Sequence, residues 1–171
     1  MDKEQFINLV IESLEATEDQ YRIPYKTRPY ERIICYEFYH QFRKRVDKVF
    51  YSFVLHGELD KRYRGINRVP DFIFHVPYED ERNFAVIEFK STRSGIRWIK
   101  YDLKKLQKFM DHPLYYQMGI LIVFGRKDKL NRVQEKLKSF GQMESELDIL
   151  FYDLDSGKVI SQLSVEKTSA P

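Results

Sequence analysis

The sequence is short of cysteine, with Cys35 the only one among 171 residues. A lone thiol excludes an intramolecular disulfide framework and a cysteine-rich zinc site, and it suits a reducing compartment. Also missing is any apolar run approaching the ~20 residues of a membrane-spanning helix. The opening MDKEQFINLV lacks the basic-then-apolar pattern of a signal peptide. A cytoplasmic location with no membrane partner is the expectation. There is no G-x-S-x-G and no G-x-x-x-x-G-K-[ST], so the sequence signatures of serine hydrolases and P-loop nucleotide binders are absent. Neither sign of charge dominates. A formal net charge of +3 does not by itself single out a nucleic-acid partner.

What the chain does have is apolar and charged residues in globular proportion, 43% and 32%, in a length that buries a core without staples. No linker, repeat or low-complexity stretch divides it, so one domain over 1–171 is expected, with a polar tail from about 164. Phe6, Leu9, Val10 and Leu14 predict an amphipathic helix over 3–16, and Pro24 and Pro29 a loop over 17–29. Ile34, Phe38, Phe42 and Val46, four apart, predict a helix over 30–48. Strands are expected at about 49–56, 69–76 and 84–90, the last two separated by the turn-like PYEDERN. The stripe Ile96, Ile99, Leu103, Leu106 and Met110 predicts a helix over 96–111. The apolar strand MGILIVFG, a helix at about 129–140 and a last strand LDILFYDL, ended by the turn Asp155-Ser156-Gly157, complete the chain. This order reads as α/β, a mixed sheet with helices on its faces.

Within that pattern, RVPDFIFHVPYEDERNFAVIEFKS (68–91) places Asp71, Glu88 and Lys90 in stretches that otherwise read as sheet core. Charged groups there are costly unless they pair with one another or with something from outside. If the two strands form a hairpin centred on PYEDERN, Asp71 lies opposite Glu88, with Cβ atoms on the order of 5 Å apart. Side chains alternate along a strand, so Lys90 points the same way as Glu88. Two carboxylates that close repel unless a proton or a cation sits between them. Hard oxygen ligands suit Mg²⁺ or Mn²⁺, which keep waters and bind phosphates.

Positive charge flanks this stretch on both sides. Arg43, Lys61, Arg62 and Arg64 precede it, Arg68 opens it, and Arg93, Arg97 and Lys100 follow it, with tyrosines and Trp98 interleaved. Such runs are either solvated helix faces or a surface that displaces counterions from a phosphate backbone.

Pro70-Asp71, sixteen intervening residues and then Glu88-Phe89-Lys90 resemble the PD-(D/E)xK nuclease superfamily, the restriction-endonuclease-like fold. The resemblance covers about residues 30–125: a helix, a three-stranded meander, a crossover helix and a further strand. The first helix and the C-terminal helix-strand unit are additions. It implies a metal-dependent nuclease, most readily a DNA endonuclease, using Mg²⁺ or Mn²⁺. Asp71, Glu88 and the Phe89 backbone carbonyl would hold the metal, and Lys90 would serve the attacking water and the phosphoryl group. Many members add an acid from the preceding helix. Glu37 is the candidate here, equally readable as a surface partner of Arg43 or Lys44, and Glu31 is the weaker alternative. The Q-x-x-x-Y of RecB-like members is lacking, since Gln107 is followed four residues later by Asp111. No target-recognition domain accompanies the site, so specificity would come from DNA structure, from a homodimer or from another partner.

Glu58, after Gly57 at the end of the first meander strand, is either a further metal or water ligand or a turn acid pairing with Lys61 or Arg62. His56 and His75 read as structural or exposed histidines, with no zinc spacing. Asp102 reads as a solvated helix acid. Two further readings stay open: a nucleic-acid-binding or assembly module without catalysis, and a buried structural ion network.

Overall fold

Largely apolar runs over 83–91, 118–125 and 147–153 build the centre of the molecule, three strands buried on both faces. The computed structural model describes residues 2–22, 31–47, 50–58, 69–138 and 146–165. Its elements are α1 (Lys3–Glu15), α2 (Asp19–Arg22), α3 (Glu31–Val46), β1 (Val54–Gly57), β2 (Phe72–His75), β3 (Asn83–Ser91), α4 (Ile96–Met110), β4 (Met118–Gly125), α5 (Lys127–Lys138), β5 (Leu147–Asp153) and β6 (Lys158–Val165). The six strands form one mixed sheet in sequential order. β1, β2 and β3 are antiparallel neighbours, β3, β4 and β5 run parallel, and β6 returns antiparallel to β5. Helices cover both faces, so the fold is mixed α/β. No helix among the described residues is long and apolar enough to cross a membrane.

Strand alternation divides the core into two layers. On one face Phe6, Val10 and Leu14 of α1 and Ile34, Phe38 and Phe42 of α3 pack on Ala85, Ile87 and Phe89 of β3. On the other, Ile99, Leu103 and Leu106 of α4 and Leu130 of α5 pack on Val86, Leu121 and Ile149. Parallel strands need crossovers, and α4 and α5 supply them on the same face. Gly119 is required where β4 passes under α4, because a Cβ there would lie 2.4 Å from Leu147 and 2.8 Å from the Met110 sulfur.

Three expected boundaries are corrected. The first meander strand is only Val54–Gly57, because the chain is still turning after α3: Phe50 donates its N–H to the Val46 carbonyl and Phe53 to that of Phe50. Both phenylalanines pack on the α3-side core from that turn. The expected loop over 17–29 contains the short α2, whose buried Arg22 donates to the Leu154 carbonyl. The sheet does not end at Asp155-Ser156-Gly157. Asp153 accepts from the Ser156 N–H and hydroxyl, Gly157 adopts φ +66°, and the chain returns as β6. That strand was hidden because only one of its faces packs on the protein, leaving a weak apolar signal in KVISQLSV.

Candidate functional site

The β2–β3 register is the one that the sequence predicts. Phe72 pairs with Ile87, Ile73 with Val86 and Phe74 with Ala85, and the same register continued by one residue sets Asp71 against Glu88. A bulge at His75 absorbs the turn's irregularity further on, away from this end. Asp71 Oδ2 accepts the Phe89 N–H at 2.7 Å, so the ladder ends on a carboxylate. At the same end of the sheet lie the close of β1, the first turn of α3 and the middle of α4. Each contributes a polar side chain or backbone group.

α3 delivers Glu31. Its carboxylate accepts the Ser91 N–H at 3.3 Å and lies 3.5 Å from Lys90 Nζ. α4 delivers Asp102 and Lys105. Lys90 Nζ sits 3.2 Å from Asp102 Oδ2, and Lys105 Nζ sits 2.7 Å from Glu88 Oε2 and 4.0 Å from Asp102 Oδ1. Lys105 also donates to the Val69 carbonyl at 3.2 Å, just before Asp71. Among the described residues, Glu31, Asp71, Glu88 and Asp102 therefore meet two ammonium groups, Lys90 and Lys105. Fully ionised, the cluster carries a surplus of two negative charges.

Burial sets the protonation balance. Glu88 is 1% exposed, and desolvation, with Asp71 adding to it, holds its carboxyl well above the usual range against the opposing pull of Lys105. Asp71 is raised by burial, although the Phe89 N–H and the two lysines work the other way. Glu31 is raised by burial and by Asp71, with Lys90 opposing. Burial works against the Lys90 ammonium, but Glu31 and Asp102 outweigh it and its pKa lies above the usual lysine value. Burial thus lifts the carboxyls, and the neighbouring acids lift the lysine.

Asp71 and Glu31 also line a cleft of about 480 Å³ on the α3 side, together with Cys35, Tyr36, Glu58 and Phe72. The Cys35 thiol is pushed far up by burial and by the neighbouring carboxylates, which leaves it an inert wall of the cleft.

Not every expected residue arrives here. Asp71, Glu88 and Lys90 converge, but Lys105 rather than Lys90 holds the Glu88 carboxylate. Glu37 does not supply the helix acid. It is buried and accepts from Gln41 at 2.7 Å, about 9 Å further along α3 than Glu31, which sits beside Lys90 instead. The first turn of α3 abuts the end of β3, whereas Glu37 has passed to the packed part of the helix. Glu58 is at the cleft rim with φ +49°; its N–H donates to the Asp71 carbonyl at 3.0 Å and its exposed carboxylate lies 4.0 Å from Arg32. Asp102 is not solvated: it is 4% exposed, because α4 presents it beside the Leu103–Leu106 stripe to the buried end of β3. His56 and His75 hydrogen-bond one another at 2.9 Å, in keeping with a structural pair.

Among the basic candidates, Arg43 is bound to Asp47 at 2.8 and 2.9 Å and to Tyr39 at 2.9 Å, about 18 Å along α3 from Glu31. It is remote from the cluster and already paired. Arg97 is exposed in the first turn of α4, Arg93 is exposed just after β3, and Lys100 is half-buried on α4. Lys61, Arg62, Arg64 and Arg68 lie outside the described residues. Lys105, by contrast, was not among the site candidates. Its spacing from Asp102 along one edge of the apolar stripe was the available signal.

Among the described residues, no three His, Cys, Asp or Glu side chains are gathered as a ready metal cage. Mg²⁺ needs fewer, because it is held through one or two carboxylates and its own waters. Glu88 Oε1 is buried without a hydrogen-bond partner, and the two facing carboxylates are hard oxygen donors. The residues present fit that ion.

No protein-family model matches the chain, and no curated protein matches it significantly.

Proposed function

We propose that the chain is a metal-dependent nuclease of the PD-(D/E)xK type, hydrolysing phosphodiester bonds of nucleic acid, foremost DNA, as an endonuclease. One observation carries the reading: the β2–β3 register sets Asp71 opposite Glu88, with an orphaned Glu88 oxygen and a surplus of buried negative charge around it. A structural ion network would be expected to balance its charges, and among the described residues this one does not. The succession of α3, the meander β1–β3, α4 and β4 supports a restriction-endonuclease-like arrangement.

In this reading Asp71 and Glu88 would hold Mg²⁺ or Mn²⁺, with the Phe89 carbonyl beside them. The ion, when bound, polarises a phosphate oxygen and lowers the pKa of a water. Lys90 is kept charged by Glu31 and Asp102 and faces the place where negative charge develops on the phosphoryl group. Lys105 offsets the Glu88 carboxylate and steadies the acidic pair. Glu31 orients Lys90 and ties the end of β3 through the Ser91 N–H.

The test is cleavage of plasmid and single-stranded DNA with Mn²⁺ or Mg²⁺. EDTA, Asp71→Ala and Lys90→Ala should each abolish it. Cleavage that survives those substitutions would sink the assignment. A second reading, nucleic-acid binding without catalysis, is favoured by one contact: the Lys105 ammonium already seated 2.7 Å from Glu88. Salt-sensitive binding with no cleavage under any metal would select it.

A further inference from the structure

α4 presents two faces with different chemistry. One packs Ile99, Leu103, Leu106 and Phe109 into the core. The other carries Arg97, Trp98, Tyr101, Lys104 and Lys108, and the helix's single acid, Asp102, is turned into the carboxylate cluster. Trp98 is 55% exposed, and its ring meets Tyr101 edge to face at 5.8 Å between centroids. Around the two rings is an open depression of about 570 Å³, lined by Ile96, Arg97, Lys100 and Lys104 as well. A large exposed indole held by a second aromatic and surrounded by cations is costly in water and matched to a flat, anionic polymer. The fully exposed Tyr78 lacks this setting, being followed by Glu79, Asp80 and Glu81.

The platform is also placed to serve the cluster. At about 100° per residue, Trp98 lies within about 40° of both Asp102 and Lys105 around the helix, and about 6 Å along the axis from Asp102. Lys105, partner of Glu88, lies on that same edge of the helix, about 10 Å along the axis from Trp98.

We infer that Trp98 and Tyr101 form a stacking platform for unpaired bases, with Arg97 and Lys104 holding the adjoining phosphates, so that the site takes a single-stranded or locally opened nucleic acid. This deepens the nucleic-acid reading above and rests on it. Duplex bases are already stacked on one another and offer the indole no free face.

Trp98 is the only tryptophan in the chain, so its emission reports the platform directly. The full-length protein is titrated in EDTA, where no cleavage intervenes, with oligothymidylate and with a blunt duplex of equal length. The expected result is saturable quenching by the single strand and weak quenching by the duplex. With a labelled oligothymidylate, Trp98→Ala should weaken binding about 5- to 100-fold while Trp98→Phe keeps most of it. Arg97→Ala and Lys104→Ala should each lower the salt slope by about 0.7. Unchanged emission with both ligands overturns the proposal, as does equal quenching by the duplex or wild-type affinity in Trp98→Ala. The wild-type titration needs no variant to fold. Quenching without metal-dependent cleavage would remove the nuclease reading and leave the platform; cleavage without quenching would do the reverse.

Discussion

One strand of this protein faces two different worlds. On the α3 side of β3, Ile87 and Phe89 enter an aromatic layer in which Phe38 meets Phe89 at 5.1 Å and Phe6 meets Phe74 at 5.1 Å. On the α4 side, one residue away at each step, Glu88 and Lys90 enter a buried cluster of acids and lysines. The first side follows the ordinary economy of a core, where each ring removes apolar surface from water. The second holds charge in a place where hydrophobic residues would be at least as stable. Packing alone explains the α3 side, whereas the charges on the α4 side are what the proposed phosphodiester chemistry would explain.

Substitutions on the two sides should break this contrast open. The largest effect expected is on cleavage. Asp71→Asn keeps an oxygen for the Phe89 N–H yet removes a charge from the pair, and it should lower the rate by about 10²–10³ or more with little change in melting temperature. On the other face, Phe89→Ala should cost about 3–5 kcal/mol in denaturant unfolding, through lost burial and the cavity left behind. A Phe89→Ala protein as stable as wild type would mean that the aromatic layer does not hold the fold.

A subtler effect concerns pH. The Glu88 carboxyl has a folded pKa above its ordinary 4.5, so the folded state holds its proton more tightly than the unfolded one. Its contribution to stability is fully present below that ordinary value and is lost as pH rises through the raised one. Glu88→Gln should therefore melt higher than the metal-free wild type near neutral pH, and the gap should close as pH falls to the ordinary carboxyl range. A gap that widens on acidification would contradict the burial argument. Lys90 has the same sign but a higher pH window. Its pKa is raised by Glu31 and Asp102, so its contribution is present at neutral pH and is lost only as pH rises through the raised value. Lys90→Met should then cost about 1 kcal/mol near neutrality.

The smallest effect separates two acids of one helix. Glu31→Gln should lower cleavage by about tenfold or more, as the loss of a group that orients a site residue does, whereas Glu37→Gln should leave the rate unchanged. Parallel initial rates decide it, and equal losses would mean that the cluster extends along α3.

Much of this was legible in the residues themselves. The turn PYEDERN gives the hairpin register, because the pairing of Asp71 with Glu88 centres on it, as the pairs Phe72–Ile87 and Ile73–Val86 bear out. The stripes Ile34–Phe38–Phe42 and Ile99–Leu103–Leu106 likewise give α3 and α4. Two kinds of feature were hidden. β6 is an edge strand with one solvated face, so its pattern is weak beside that of β4. The partners of Glu88 and Lys90 come from other elements, and the helical period shows which face a residue shares without showing what that face meets. Asp102 lies on the α4 face that carries Leu106, and nothing local distinguishes a solvated acid there from one pressed on the end of a strand. Glu31 was the weaker alternative to Glu37, since first-turn acids are favoured by the helix dipole in any case; only the meeting of α3 with Ser91 makes it a neighbour of Lys90.

The central claim is that the charges on the α4 side of β3 serve phosphodiester hydrolysis. Its most direct test is cleavage of supercoiled plasmid and single-stranded DNA by wild type, Asp71→Asn and Lys90→Ala, purified side by side and assayed with Mn²⁺ and with EDTA. The account predicts cleavage by the wild type with Mn²⁺ only, and none by either variant although both stay folded. Equal cleavage by all three proteins, or cleavage that persists in EDTA, would contradict it.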